Sequence, residues 1–229
     1  MNVLIVEPEI NGHHISMYVR FLVRGLSKKN IKFSILTSKK IIKHPVLSIL
    51  KKEKRKINFY YLEELIYPGK KNLISLFLFQ VSNYFKIKKG FNKILEDQKF
   101  DHIFLMTLDH IDKVIPIFGS PFGKNDFSSI HLNPKNHFED LKIKSLGIKK
   151  DIYNFMSYKT LKLRTLKNIY SNDILYVKYI KNKFTKLKSK IHHFDEPVEM
   201  SHFLRKDIAR KKFHLNKKDF IILVYGAIK

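Results

Sequence analysis

The chain alternates short, unbroken apolar runs with longer stretches whose apolar positions recur at helical spacing. Residues 2–6 (NVLIV) form a continuous apolar run, the pattern of a strand covered on both faces. In residues 14–29, Ile15, Tyr18, Val19, Leu22, Val23 and Leu26 share one helical face. Residues 32–37 (KFSILT) and 57–62 (INFYYL) predict a second and a third strand. Between them, 45–56 predicts a short helix that turns basic at KKEKRK. Residues 72–98 predict a long helix, interrupted or bent near Gly90. A fourth strand is predicted at 101–106 (DHIFLM), a short helix at 111–118 and a fifth strand at 127–132 (FSSIHL). Then come a helix at 152–168, a sixth strand at 173–177 (DILYV), a helix at 179–187 and a seventh strand at 190–194 (KIHHF). After 195–199 (DEPVE), a short helix at 203–213 precedes a buried-type strand at 220–225 (FIILVY).

Strands joined by helical crossovers imply an α/β fold with a doubly wound parallel sheet. In such sheets ligands bind at the carboxyl ends of the strands. No repeat of fixed period and no low-complexity linker interrupts the order. A length of 229 residues allows one large domain or two small ones.

Composition narrows the partners. With 44% hydrophobic and 13% aromatic residues the chain is not a disordered polycation. The absence of cysteine excludes a disulfide-stapled or Cys-ligated zinc domain. Residues 1–9 have no basic leader, and the greasiest stretch, 73–85, is broken by Gln80 and Asn83. That stretch falls short of the roughly 20 apolar residues that span a bilayer. The expectation is a soluble, cytoplasmic protein. A formal charge of +25 points to an anionic partner: nucleic acid, lipid headgroups or a phosphorylated substrate. Abundant Lys, Ile and Asn with scarce Ala would also follow from an AT-rich genome without selection for charge.

Familiar motifs are missing. There is no GxxxxGK[ST], no GxGxxG after the first strand, no HExxH, and no Asp-x-Asp to hold a metal against a diphosphate. The pairs His13-His14 and His192-His193 are weak metal signals among eleven histidines. Position says more. The first loop reads EPEINGHH, and Gly12 sits just before a helix start, where free N–H groups favour an anion. Equally, Gly12 could supply only the turn while a histidine caps the helix. Asp109 and His110 at the end of the fourth strand, and His131 at the end of the fifth, would face the same crevice. A histidine at a strand end also serves as an ordinary structural hydrogen-bonder.

The run NVLIVEPEINGHHISMYVRFLVRGL followed by KFSILTS resembles the amino-terminal half of a GT-B glycosyltransferase of the family 4 type, with its Rossmann-like sheet. Residues 209–215 (ARKKFHL), a charged spacer and 220–229 resemble the junction that opens the family's second Rossmann-like domain. DEPVE stands where the family has its linker, and Ser129-Ile130-His131 where it has a strand-end Thr-x-His. The resemblance implies an acceptor-side domain at 1–200, and at 201–229 an interdomain helix with the first strand of a donor domain that the chain lacks. It implies transfer of a sugar from a nucleotide-sugar to a glycan or lipid-linked acceptor, with no metal and no other cofactor. Gly12 would belong to the phosphate-facing loop, and His13 and His14 would line the cleft. His131 would orient the acceptor or assist as a base. Asp109 and His110 are substrate-binding candidates beside them. Without a donor site the chain alone would be inactive, or would work with a second chain that carries one.

Two surface readings accompany this. The basic cluster at 51–56 and the helix at 72–85 fit an anionic membrane surface, placing the protein peripherally on the cytoplasmic face. The same helix would also fit a central position packed on both sides, or one covered by another domain. Nucleic-acid binding is permitted by the charge but matches no helix-turn-helix, RRM, KH or zinc-finger pattern.

Overall fold

The apolar run that opens the chain becomes an interior strand of a seven-stranded sheet whose pairings are all parallel. A computed structural model describes residues 1–9, 14–25, 30–52, 57–65, 73–138, 140–142, 147–196, 205–216 and 218. The strands are β1 (Asn2–Glu7), β2 (Lys32–Ser38), β3 (Ile57–Leu62), β4 (His102–Leu105), β5 (Phe127–Ile130), β6 (Leu166–Ser171) and β7 (Ile191–His193). Their spatial order is β3-β2-β1-β4-β5-β6-β7. From β1 the chain runs outward to β3, then crosses back to place β4 on the other side of β1. The reversal leaves a crevice at the carboxyl ends of β1 and β4.

Alternation along each strand divides the core. Leu4, Val6, Leu36, Ile103 and Leu105 pack under α3 (Leu73–Leu95) through its Tyr84, Ile87, Phe91 and Ile94. The same layer takes in Ile115 of α4 (Ile115–Phe118), Leu161 of α5 (Ile148–Lys162), and Tyr176, Val177 and Ile180 of α6 (Ile174–Lys183). On the other face, Val3, Ile5, Phe33 and Ile35 meet a π-helical turn (His14–Val19), α1 (Arg20–Gly25) and α2 (Val46–Lys52). Both faces of β1 are therefore dry, which is why residues 2–6 show no polar alternation. Each fully buried aliphatic side chain contributes about 1.5–3 kcal/mol to this arrangement.

Three sequence expectations are corrected. DILYV at 173–177 is not a strand but the start of α6. The Asp173 carboxylate accepts from the N–H groups of Leu175 and Tyr176, both at 3.0 Å, and so caps the helix. The sixth strand lies instead at Leu166–Ser171, beginning within the helix expected at 152–168, which stops at Lys162. The third correction concerns Gly90, where α3 continues without a break. Glycine suits that position because a Cβ would fall within clash distance of Leu62 Cδ2, so the buried Leu62 side chain would have to shift.

By its internal contacts the chain divides into residues Met1–Glu196 and Pro197–Lys229. In the second unit the described residues, 205–216 and 218, include α7 (Lys206–Lys212), with Arg205 paired to Asp207 at 3.3 Å. The expected strand at 220–225 lies outside the described residues.

The fit at Gly90 gives a direct test. Gly90→Val should lower stability by about 1–3 kcal/mol through overpacking, although valine is a better helix former than glycine. Urea denaturation would measure the loss.

Candidate functional site

Two polar clusters form where the strands end. Glu7, the last residue of β1, is fully buried. Its carboxylate accepts the Thr107 hydroxyl at 3.1 Å and the Glu9 N–H at 2.9 Å. Burial pushes the Glu7 carboxyl up to about 7, against the lowering effect of the Glu9 N–H and of His110. His110 Nε2 lies 3.2 Å from Glu9 Oε2. Burial works against the charge on His110, but its hydrogen bond to Glu9 and the carboxylates of Glu7, Glu9 and Asp109 outweigh it and raise its pKa. The crevice between β1 and β4 is thus a carboxylate–imidazole–carboxylate group.

The second cluster is built on Asp109. Its two oxygens accept the consecutive backbone N–H groups of Leu132 (2.9 Å) and Asn133 (2.8 Å). That clamp joins the loops that follow β4 and β5. Gln80 of α3 grips the same loop, donating to the Asp109 carbonyl and to Asp112 Oδ1, both at 2.8 Å. The Gln80 carbonyl accepts the Lys113 N–H at 2.9 Å, and Lys113 Nζ lies 2.7 Å from Asp112 Oδ2. Buried His131, one residue beyond β5, points Nε2 at Asp109 Oδ1 and Asp112 Oδ2, each 3.7 Å away. Its Nδ1 lies 3.2 Å from the Tyr176 hydroxyl. Burial holds the Tyr176 phenol above its ordinary range, against the opposing effect of its hydrogen bond with Ser157. Ser157 in turn accepts from Asn136 at 2.9 Å.

Above these groups opens a cavity of about 560 Å³ between the starts of α3 and α5. Asp109, His110, Asp112 and His131 line it, facing apolar walls that include Phe77 and Phe79 on α3 and Tyr153 and Met156 on α5. This is the form of a small-molecule pocket: apolar walls with a few convergent polar groups. Among the described residues, no group of three or more His, Asp or Glu is arranged to hold a metal ion.

Three of the six site residues expected from sequence, Asp109, His110 and His131, meet in this one cavity. Gly12 and His13 lie outside the described residues; His14 begins the π-helical turn, and its side chain is not described. Sequence reasoning missed Glu7, Gln80, Asp112, Ser157 and Tyr176. Two of these carried a signal. Gln80 is the polar interruption of the greasy stretch 73–85, and Asp112 follows Asp109 by three residues in a strand-end loop.

No protein-family model matches the chain, and no curated protein sequence does. Solved structures do match. Sucrose-phosphate synthase from Thermosynechococcus elongatus aligns with a TM-score of 0.56 and 11% identity, over 95% of this chain and 53% of that one. UGT89C1 of Arabidopsis thaliana complexed with UDP gives 0.52 and 13%, over 93% and 55%. UGT2 of Phytolacca americana complexed with UDP-2fluoro-glucose and pterostilbene gives 0.52 and 10%, over 87% and 55%. These neighbours are GT-B glycosyltransferases, so the expected α/β, Rossmann-like fold of the GT-B type is what the chain adopts. At such identities the likeness is one of fold. The chain spans about half the length of the structures it matches.

The buried Glu7 makes stability depend on pH. A carboxyl raised to about 7 in the folded state stays protonated where the unfolded chain, at 4.5, has ionised. Stability therefore falls as pH rises between those values, by roughly 2–4 kcal/mol in all. The raised His110 adds a loss in the same direction. Glu7→Gln should raise the melting temperature at pH 8, leave it little changed at pH 4, and flatten the profile between. A variant curve parallel to the parent's would show that Glu7 is not the titrating group.

Proposed function

We propose that these residues form the acceptor-binding half of a family 4-like sugar transferase that uses a nucleotide-sugar as co-substrate. The observation that carries the reading is the cavity at the carboxyl edge of the sheet, with an imidazole and two immobilised carboxylates in its wall. Fold neighbours whose complexes hold UDP, or UDP-2fluoro-glucose with pterostilbene, support it.

The chemistry follows from how each group is held. Both Asp109 oxygens accept backbone N–H groups, which fixes the carboxyl group in rotation. Asp112 is gripped by Gln80 and Lys113. Taking the Tyr176 hydroxyl as the donor to His131 Nδ1 puts the imidazole proton on Nε2, facing the cavity wall formed by both carboxylates. A hydroxyl entering beside them accepts from Nε2–H and donates to a carboxylate, which fixes the direction of its lone pairs. Holding a nucleophile in one orientation lowers the entropic part of the barrier to transfer. His131 is therefore assigned to acceptor orientation, with His110 and Asp109 beside it. The apolar walls suit an acceptor with a flat or aliphatic body as well as hydroxyls. The nucleotide-sugar is assigned mainly to residues outside this pocket, and sugar transfer by the 229-residue chain alone is not expected.

Ligand-observed NMR with p-nitrophenyl glucoside, a ring bearing hydroxyls, tests the pocket. The parent chain should bind it; His131→Ala should weaken binding about three- to tenfold, the value of a neutral hydrogen bond, and Asp112→Ala about tenfold or more, the value of one to a charged partner. Undiminished binding in both variants would place the acceptor elsewhere. Transfer from UDP-glucose by the purified chain would overturn the assignment of a half-enzyme.

A further inference from the structure

The outer surface of the helical layer over α3, α4 and α5 carries more apolar area than its packing uses. On α3, Ile74, Leu78 and Phe85 lie on one stripe pointing away from the sheet, with Ile74 73% and Leu78 60% exposed. Phe85 meets Phe118, the last residue of α4, at 5.7 Å between ring centroids, and both rings remain about half exposed. Ile117 beside it is exposed too. On α5, Ile152 and Phe155 are exposed at the spacing of one helical face, which Lys159 and Lys162 continue. The lysines are placed around rings: Lys159 Nζ is 5.4 Å from the Phe155 centroid, and Lys162 Nζ 5.6 Å from that of Tyr158. Scattered single apolar residues on a surface need no explanation, but exposed apolar stripes on two helices of one layer, the first joined to α4 through Phe85 and Phe118 and the second continued by lysines, do. Of the two positions expected for α3, packing on both sides is excluded among the described residues.

We propose that this face docks on an anionic lipid surface, with α3, α4 and α5 lying against the headgroups. Three observations favour lipid over a protein partner. Aromatic rings with lysine ammonium groups held over or beside them suit the boundary between acyl chains and phosphates, where ring and charge are both satisfied. The excess of positive charge, +25 in the whole chain, complements an acidic leaflet. The face is also continuous with the cavity mouth, because Leu76, Phe77, Lys149 and Ile152 line the cavity and are themselves exposed. No helix among the described residues is long and apolar enough to cross a membrane, so the contact is with the surface. The basic cluster expected to make this contact, 51–56, falls on residues whose side chains are not described, and the docking face proposed here does not need it. The surface stands whether or not the cavity accepts a sugar acceptor.

Co-sedimentation of the 229-residue chain with vesicles decides the matter. Binding is expected to mixed phosphatidylcholine–phosphatidylglycerol vesicles at low salt, and much less to phosphatidylcholine alone. Lys159→Ala with Lys162→Ala should weaken binding about twenty-five-fold, roughly five-fold per lysine. Ile74→Ser with Leu78→Ser should weaken it about tenfold or more. Lys99→Ala with Lys124→Ala, at exposed positions that precede β4 and β5, should change it little. All six positions are exposed, so melting temperatures near the parent's are expected for each variant. No sedimentation with the mixed vesicles would overturn the proposal. So would equal losses in the control pair, which would mean unspecific attraction to a polycation. A dimer in analytical ultracentrifugation that Leu78→Ser dissociates would also overturn it, by assigning the face to a second copy of the chain.

Discussion

The carboxylate of Asp109 holds together parts of the chain that no strand pairing joins. By accepting two consecutive N–H groups after β5 it ends that strand at Ile130 and turns the next loop toward β4. Its own backbone carbonyl is tied to α3 through Gln80, which adds the third element. The position of His131, the separation of the two carboxylates and the shape of the cavity floor all follow from that junction. Two side-chain-to-backbone bonds from one residue fix the relative position of two loops more tightly than a single bond would. The polar wall is consequently tied by hydrogen bonds to α3 and to the loops after β4 and β5, while the walls on α3 and α5 are mainly apolar.

Much of the fold was legible because burial leaves a plain record in an all-parallel sheet. Residues 2–6 lack polar alternation, and the structure covers β1 on both faces. The same logic failed at DILYV. Five residues rich in branched and aromatic side chains look like a strand, yet Asp173 supplies two capping bonds and Tyr176, Val177 and Ile180 then fall on one helical face. A local cap decided between two readings that hydrophobicity left equal. Gly90 failed for another reason: its glycine answers to Leu62, a residue 28 positions earlier, and no local pattern records such a contact.

The candidate site was legible in outline only. Strand-end position singled out Asp109, His110 and His131 because the sheet brings loop ends to one edge. Gln80 and Asp112 were hidden because each matters through a partner distant in sequence or in an irregular loop. Tyr176 was hidden by the same misreading that turned its helix into a strand. The residues that hold a site in place are set by tertiary contacts, and those emerge only when the elements are assembled.

Glu7 has a consequence for anything that binds beside it. With its carboxyl raised to about 7, both protonation forms of the same crevice are present around neutral pH. A ligand that brings negative charge to the ends of β1 and β4 selects the protonated form, and one that brings positive charge selects the other. Its association is then accompanied by net uptake or release of a fraction of a proton. The heat of binding would accordingly vary with the ionisation enthalpy of the buffer, so this buried carboxyl labels its crevice calorimetrically without any chemical probe.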